Sequence, residues 1–298
     1  MATSTHSLSG LAMLSAIVAA VGMGTIGVFS RMAELSPEIV TFYRLFLGAL
    51  FMGAWLVVSR QSIRIGDGDG RRLLLSGAFL AGFILCYIQA MNLTAMANAI
   101  LVIYLAPIAA TLFSRLFFHE MLKPQQWLAM ALALLGFILM QDAPDGNSAS
   151  TLGLAYAGLA MLFYAGFIIV NRRCSEHTPA ASRAFWQLAT GALLTLLVSL
   201  ASQQSLVVEA GKIPWLLAIG FIPGFVALYC AVLALQRLPT AVYGTLSYFE
   251  PVAVIVFGWL FFAETLSAGQ FLGCVLILGS GIGPALMAAV TARPIAVK

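Results

Sequence analysis

Tyr104-Leu105-Ala106-Pro107, followed by Leu116-Phe117-Phe118-His119-Glu120-Met121-Leu122, returns later in the chain as Tyr248-Phe249-Glu250-Pro251, followed by Leu260-Phe261-Phe262-Ala263-Glu264-Thr265-Leu266. The offset is 144 residues, and it holds through Gln126/Gln270, Leu132/Leu276 and Ile138/Ile282. Outward from these two copies the chain is a series of apolar stretches, at 10–30, 38–59, 73–92, 96–118 and 125–140, then at 152–171, 181–201, 214–236, 241–262 and 268–289. A membrane helix needs about 20 mainly apolar residues, so the reading is ten spans in two sets of five.

Composition leaves no soluble alternative. The chain is 61% apolar and 9% charged, with mean hydropathy +0.99, whereas soluble domains carry roughly 25% charged residues. Transmembrane strands would alternate in segments of about 10 residues; these runs are continuous and longer. The expected fold is therefore an all-α membrane protein of ten transmembrane helices. An odd number of spans per copy inverts the second copy in the bilayer, as in secondary transporters whose substrate site lies at the midplane between inverted repeats. The organisation expected is an N-terminal tail (1–9), a first five-helix repeat (10–141), a linker (142–151), a second repeat (152–289) and a C-terminal tail (290–298).

Charge sets the orientation. Lys and Arg in short loops prefer the cytoplasm. With the amino terminus inside, the inner segments hold Arg60, Arg64, Arg71, Arg72, Lys123, Arg172, Arg173, Arg183, Arg237, Arg293 and Lys298, while the outer ones hold only Arg31 and Lys212. Both termini are then cytoplasmic and the linker, with Asp142 and Asp145, is outside. The net charge of +4 sits in these loops, so it gives no ground for nucleic-acid binding. The first nine residues hold no Lys or Arg, so the first apolar stretch is read as a retained helix, not a signal peptide. Cys86, Cys174, Cys230 and Cys274 have no paired or metal-binding spacing.

Polar groups inside the spans are the candidate site. Arg44 and Glu250 are the ionisable residues read as lying well inside hydrocarbon, where a charge costs about 2.5–3.5 kcal/mol on insertion scales and is usually paired or functional. Arg44 either meets a substrate carboxylate or serves packing and snorkels outward. Glu250 either takes an ammonium group or a coupling proton, or is a protonated, hydrogen-bonded structural group. Tyr87, Asn98, Tyr104, Tyr164, Trp186, Tyr229, Tyr243 and Tyr248 complete the candidate substrate-binding set. A phenol in hydrocarbon needs a partner, so these hydroxyls should point inward, either to a cavity or to another helix. Tyr104 and Tyr248 stand out because both are deep, repeat-equivalent and next to a proline. Pro107 and Pro251 each free a carbonyl and bend the helix, and are read as hinges. Two pairs, Tyr164/Asn171 and Tyr229/Gln236, share a helical face. Glu120 and Glu264 precede the next span and are read as helix-terminus partners. Small-residue surfaces at Gly22, Gly24 and Gly27, and at Gly269, Gly273, Gly279 and Gly281, permit close helix approach or, in the last helix, a homodimer.

These motifs resemble the EamA-type family of the drug/metabolite transporter superfamily. The resemblance rests on Pro37 with Arg44, on the two Tyr-to-Glu blocks, on Gln126 to Gly136 and on Gly269 to Gly281, and it covers essentially the whole chain. Within the family the chain is most similar to bacterial aromatic amino acid exporters. The likeness implies a central cavity, alternating access, the fifth and tenth helices as outer scaffold, and residence in a bacterial cytoplasmic membrane. In the second copy Gln187 stands near the place of Arg44, so the family arginine occurs once.

The function expected is export of small neutral metabolites, aromatic and other apolar amino acids above all, with proton coupling through Glu250 open. A cavity of Tyr, Trp, Gln and Asn with little charge suits a zwitterion bearing an apolar side chain and suits phosphorylated solutes poorly. The rival substrate class is lipophilic cations, which Glu250 among aromatic rings would attract. A membrane enzyme or scaffold is the third reading. No Walker loop, metal-binding H-E-x-x-H or serine elbow is present, so no catalytic residue, cofactor or metal is expected.

Overall fold

The computed structural model describes residues 3–61, 63–93, 102–118, 124–140, 150–203, 205–263 and 268–291. These residues are helical, with no strand among them. The elements are α1 (Thr3–Ala33), α2 (Pro37–Val58), α3 (Asp69–Leu93), α4 (Ala106–Phe118), α5 (Pro124–Met140), α6 (Thr151–Arg173), α7 (Ala180–Ala201), α8 (Ile213–Ile219), α9 (Ala227–Arg237), α10 (Thr240–Ser247), α11 (Phe249–Phe262) and α12 (Ala268–Thr291). Among the described residues, seven helical runs are long and apolar enough to cross a bilayer: Gly10–Ala33, Glu38–Val58, Asp69–Ala90, Thr151–Arg173, Ala180–Ala201, Ala210–Arg237 and Val242–Phe262. Two shorter apolar helices, Trp127–Leu139 and Phe271–Ser280, lie where the fifth and tenth spans are expected. The expected fourth span is divided by a turn at Tyr104–Leu105, and its first part, with Asn98, lies outside the described residues. Glu120 and Glu264 also lie outside them.

Proline starts several of these helices at positions where its missing N–H costs nothing. Pro37 and Pro214 sit in the first turns of α2 and α8, while Pro179 and Pro239 are the N-caps of α7 and α10. Ser150 caps α6 by accepting the Gly153 N–H at 3.3 Å.

Packing is that of a protein in lipid. Large apolar side chains face outward, among them Leu50, Trp55, Val57, Leu116, Leu197, Trp259 and Phe271. The buried positions are rich in Ala, Gly, Ser and Thr, because helix association without a hydrophobic drive depends on close contact between small residues. The α3–α6 crossing illustrates this: Phe79 lies against Gly166, and Phe163 against Gly82, with the two rings 6.0 Å apart. At Gly136, a Cβ would stand 2.7 Å from the Gly273 carbonyl, so α5 and α12 approach closely at this point. Likewise Gly22 and Gly24 let α1 lie against Ala227 of α9 and the first turn of α11.

Between α8 and α9 the helix runs as a π-helical turn, Gly220–Val226, containing Pro223. A proline removes one hydrogen bond from the ladder, and a wider turn accommodates the loss. This turn presses on α2: a Cβ at Gly224 would lie 2.5 Å from the Arg44 carbonyl, and one at Gly220 would lie 2.3 Å from the Leu47 Cβ. The Gly-Phe-Ile-Pro-Gly sequence therefore sets how α2 sits, and with it where Arg44 begins.

Candidate functional site

Two helix breaks at repeat-equivalent places position the centre of the molecule. Leu105 N–H bonds the Val102 carbonyl at 3.1 Å before α4 begins, and Tyr248 N–H bonds the Thr245 carbonyl at 3.3 Å between α10 and α11. Pro107 and Pro251 follow within the first turns of α4 and α11 and are buried. α10 and α4 meet where Gly244 touches Pro107; a Cβ at Gly244 would be 2.9 Å from the Pro107 Cβ. The break puts Glu250 at the start of α11, beside unsatisfied N–H groups that favour a carboxylate.

Arg44 reaches toward this point from the second turn of α2. Its Nη2 donates to Met23 Sδ of α1 at 2.7 Å, a weak acceptor for a group with five donors. Arg44 interacts electrostatically with Glu250 and with Tyr164, without closing to ion-pair contact with the carboxylate. Tyr104 donates its hydroxyl to Glu250. Tyr87 lies within electrostatic reach of Glu250, and Tyr164 and Tyr243 share a hydrogen bond beside it. Protein surrounds both Arg44 and Glu250, and each is half-buried.

Six candidate residues are thus gathered from five helices and the turn before α4: Arg44, Tyr87, Tyr104, Tyr164, Tyr243 and Glu250. Phe83 was absent from the sequence reading and belongs with them. Its ring stacks on Tyr164 at 4.8 Å and 19° and lies parallel to Tyr87 at 6.1 Å and 4°. Its place one helical turn before Tyr87 was the signal available in the sequence.

Other candidates are placed differently. Tyr248 is fully buried in a cluster with Ala133, Phe137, Val252 and Ile277, and its hydroxyl donates to the Tyr104 carbonyl at 2.6 Å. It adjoins the site through Tyr104. Trp186 packs edge-on against Phe185, and its buried indole N–H has no partner. Tyr229 is half-buried against the main core, in electrostatic reach of Cys230 and Arg237 and outside the Glu250 group. Asn171 and Gln187 are fully buried and form an interhelical node with Ser76. Asn171 Nδ2 and Gln187 Nε2 each donate to Ser76 Oγ at 3.0 Å, and Gln187 Nε2 donates to Asn171 Oδ1 at 2.8 Å.

Two charged residues outside the candidate set are fully buried: Asp69 and Arg183. Asp69 opens α3 and Arg183 lies in the first turn of α7, and each is wrapped by hydrogen bonds from the turn after α6. Loop charges are usually solvated, so composition alone pointed the other way.

Comparison with known proteins agrees with this geometry. A crystal structure superposes with a TM-score of 0.81 over 93% of this chain and 98% of that one, at 22% identity, which shows a shared fold. The chain is 28% identical over 258 residues to the threonine/homoserine exporter RhtA of Salmonella typhimurium, covering 83% of this chain and 81% of that protein. It is 25% identical over 248 residues to the pseudopaline exporter CntI of Pseudomonas aeruginosa, covering 83% and 85%. It is 26% identical over 262 residues to a transporter of Archaeoglobus fulgidus, covering 88% and 92%. The pattern of the EamA-like transporter family matches twice, over residues 10–141 and 151–283. With multiple apolar helices, a shared fold and a family pattern over most of its length, this chain belongs to the EamA-like transporter family and is a multi-pass membrane protein.

Proposed function

We propose that the chain is a secondary transporter that exports small neutral amino acids, aromatic and other apolar ones included, across a bacterial inner membrane by alternating access. The observation that carries the reading is the pair Arg44 and Glu250, opposite in charge, mutually attracted and not in contact, inside a ring of tyrosines. A zwitterion fits that gap: its carboxylate takes the free donors of Arg44, and its ammonium group takes Glu250. The side chain then meets Tyr87, Tyr164 and Phe83. The relatives named as exporters of threonine and homoserine support an amino-acid substrate, and the parallel rings favour a larger apolar side chain. A lipophilic cation also finds Glu250 among aromatic rings, but Arg44 would repel it.

Ten spans in two inverted repeats are part of this proposal. Helix contacts support it, because exchanging the repeats maps them onto one another. α3 packs on α6 as α9 packs on α1; α11 packs on α1 as α4 packs on α6; α2 packs on α7 and α5 on α12. The domain limits 10–141 and 152–289, the cytoplasmic termini and a proton taken up at Glu250 belong to the same proposal.

The test is flux through purified protein in sealed vesicles. Preloaded phenylalanine or tryptophan should exchange with external labelled substrate. Cells overproducing the protein should also tolerate toxic aromatic amino-acid analogues better than cells with an empty vector. Movement of cationic dyes with no movement of any amino acid replaces this reading with drug efflux.

A further inference from the structure

The corner where α6 ends, α7 begins and α3 begins is held by a network that the site chemistry does not use. Asp69, with no accessible surface, accepts from Ser175 N–H at 2.8 Å, from the Thr178 hydroxyl at 2.5 Å and from Arg72 Nη1 at 2.8 Å. Thr178 Oγ1 also accepts from Gly66 N–H at 2.9 Å. Arg183 Nε donates to the Thr178 carbonyl at 3.0 Å, Nη1 to Asn171 O at 3.0 Å, and Nη2 to Ser175 O at 2.6 Å and Cys174 O at 3.2 Å. The guanidinium thereby ties together carbonyls at the end of α6 and in the turn that follows it. The turn is held from both sides by buried charges, Asp69 paired with Arg72 and Arg183 bound to main-chain carbonyls.

A second layer of contact reaches this turn from α9. Gln236 Nε2 lies 3.5 Å from both the Thr178 and Glu176 carbonyls, the outer limit of a hydrogen bond. Beneath it Leu235 and Leu238 join Ala180, Ala181 and Ala184 in the buried core. So the fixed turn meets α9 through apolar contact and one loose polar tie.

The repeat-equivalent corner, at the end of α1 and the starts of α2 and α8, has different chemistry. It combines an apolar cluster of Val40, Leu216 and Ile219, with Phe29, Leu35 and Leu47 against it, with two polar ties: Lys212 Nζ donates to the Glu34 carbonyl at 3.1 Å and the Tyr43 hydroxyl to the Leu206 carbonyl at 3.0 Å. Among the described residues α3, the counterpart of α9, meets α2 only marginally, whereas α9 packs along α7 and α6.

We propose that Thr178 and Gln236 form the releasable closure of the mouth on the Arg60–Arg72 side, with Asp69 and Arg183 as the positioning residues that hold Thr178 rigid. The inference rests on the transport reading. A rigid turn gives α9 a fixed partner, and the long Gln236 bond is the one that breaks when α9 swings away.

The test uses the full chain in lipid nanodiscs, with Cys86, Cys174, Cys230 and Cys274 replaced by Ala and spin labels at His177→Cys and Arg237→Cys. Both label sites are exposed and lie on opposite sides of the tie. Pulsed electron resonance should give one short distance in the parent. Gln236→Leu and Thr178→Val should each enrich a longer distance about two- to tenfold, the loss expected for one hydrogen bond, and Thr178→Ser should restore the short one. If Thr178→Val does not fold, Gln236→Leu carries the test alone, because it keeps the side-chain volume. Unchanged distances in the variants that fold overturn the gate. Amino-acid exchange by the parent in vesicles is read separately: no flux with a shifted distance refutes the transport reading and leaves the closure standing.

Discussion

The phenol of Tyr248 donates a 2.6 Å hydrogen bond to the main-chain carbonyl of Tyr104, its own counterpart 144 residues earlier in the chain. The two rings lie 5.7 Å apart, and both touch Phe137. The helix turn at Tyr104 frees that carbonyl, and the partner repeat satisfies it. As a result the Tyr104 hydroxyl is directed to Glu250 and Tyr248 is used up in holding it there.

This division of labour separates two substitutions. Tyr104→Phe removes the donor to Glu250 and should lower exchange efficiency (kcat/KM) by about tenfold, the loss of one hydrogen bond to a charged group, with little change in thermal stability. Tyr248→Phe leaves the Tyr104 carbonyl unpaired in apolar surroundings and should lower Tm, with a smaller effect on exchange. Solute exchange and detergent-solubilised melting curves, run in parallel, check both.

Glu250→Gln keeps shape and most hydrogen bonding but loses the titratable proton. Under the proposed proton coupling, the variant loses accumulation driven by a pH gradient and keeps downhill exchange. Undiminished pH-driven accumulation assigns Glu250 to solute binding alone.

Arg44→Gln tests the carboxylate arm of the site. Phenylalanine should lose about tenfold or more in affinity, since a charge-assisted bond is lost, while phenethylamine, which has no carboxylate, should lose none. Equal losses for the two ligands would make Arg44 a packing residue.

Gly224→Ala places a methyl group 2.5 Å from the Arg44 carbonyl and 3.2 Å from the Ile219 carbonyl. Neither is the end of a flexible side chain. The expected outcome is destabilisation of about 1–3 kcal/mol from overpacking, seen as lower yield and Tm. Gly27→Ala, whose Cβ meets nothing within 4 Å, is the matched control and should behave as the parent.

Orientation is read by labelling Val207→Cys and Glu176→Cys, both at exposed positions. A reagent confined to the outside should reach the first and not the second. Native Cys174 adds no background: burial pushes its thiol up to about 11, leaving a thiolate fraction of about one in ten thousand at pH 7. The reverse pattern would turn the proposed topology over.

The membrane character, the helical class and the places of most spans follow from local chain properties. Twenty apolar residues in a row must satisfy their own backbone in lipid, and a helix does so within the segment. The repeat was legible because Tyr104–Pro107 and Tyr248–Pro251 keep residue type as well as spacing. Residue type also picked out Arg44 and Glu250, since charge in a long apolar stretch needs a reason. Partnership between residues far apart in sequence was decided only by tertiary packing. Nothing local says that Tyr248 ends fully buried while Tyr104 keeps accessible surface, or that Phe83 aligns with Tyr164. Nor does it say that Asp69, in a turn-rich polar loop, is enclosed by Thr178 and Ser175 more than a hundred residues away. Hydropathy is a property of a segment, so the sequence marks which segments are apolar enough to enter the bilayer. Hydrogen-bond satisfaction is a property of a completed neighbourhood, and in this chain that neighbourhood is assembled from both repeats.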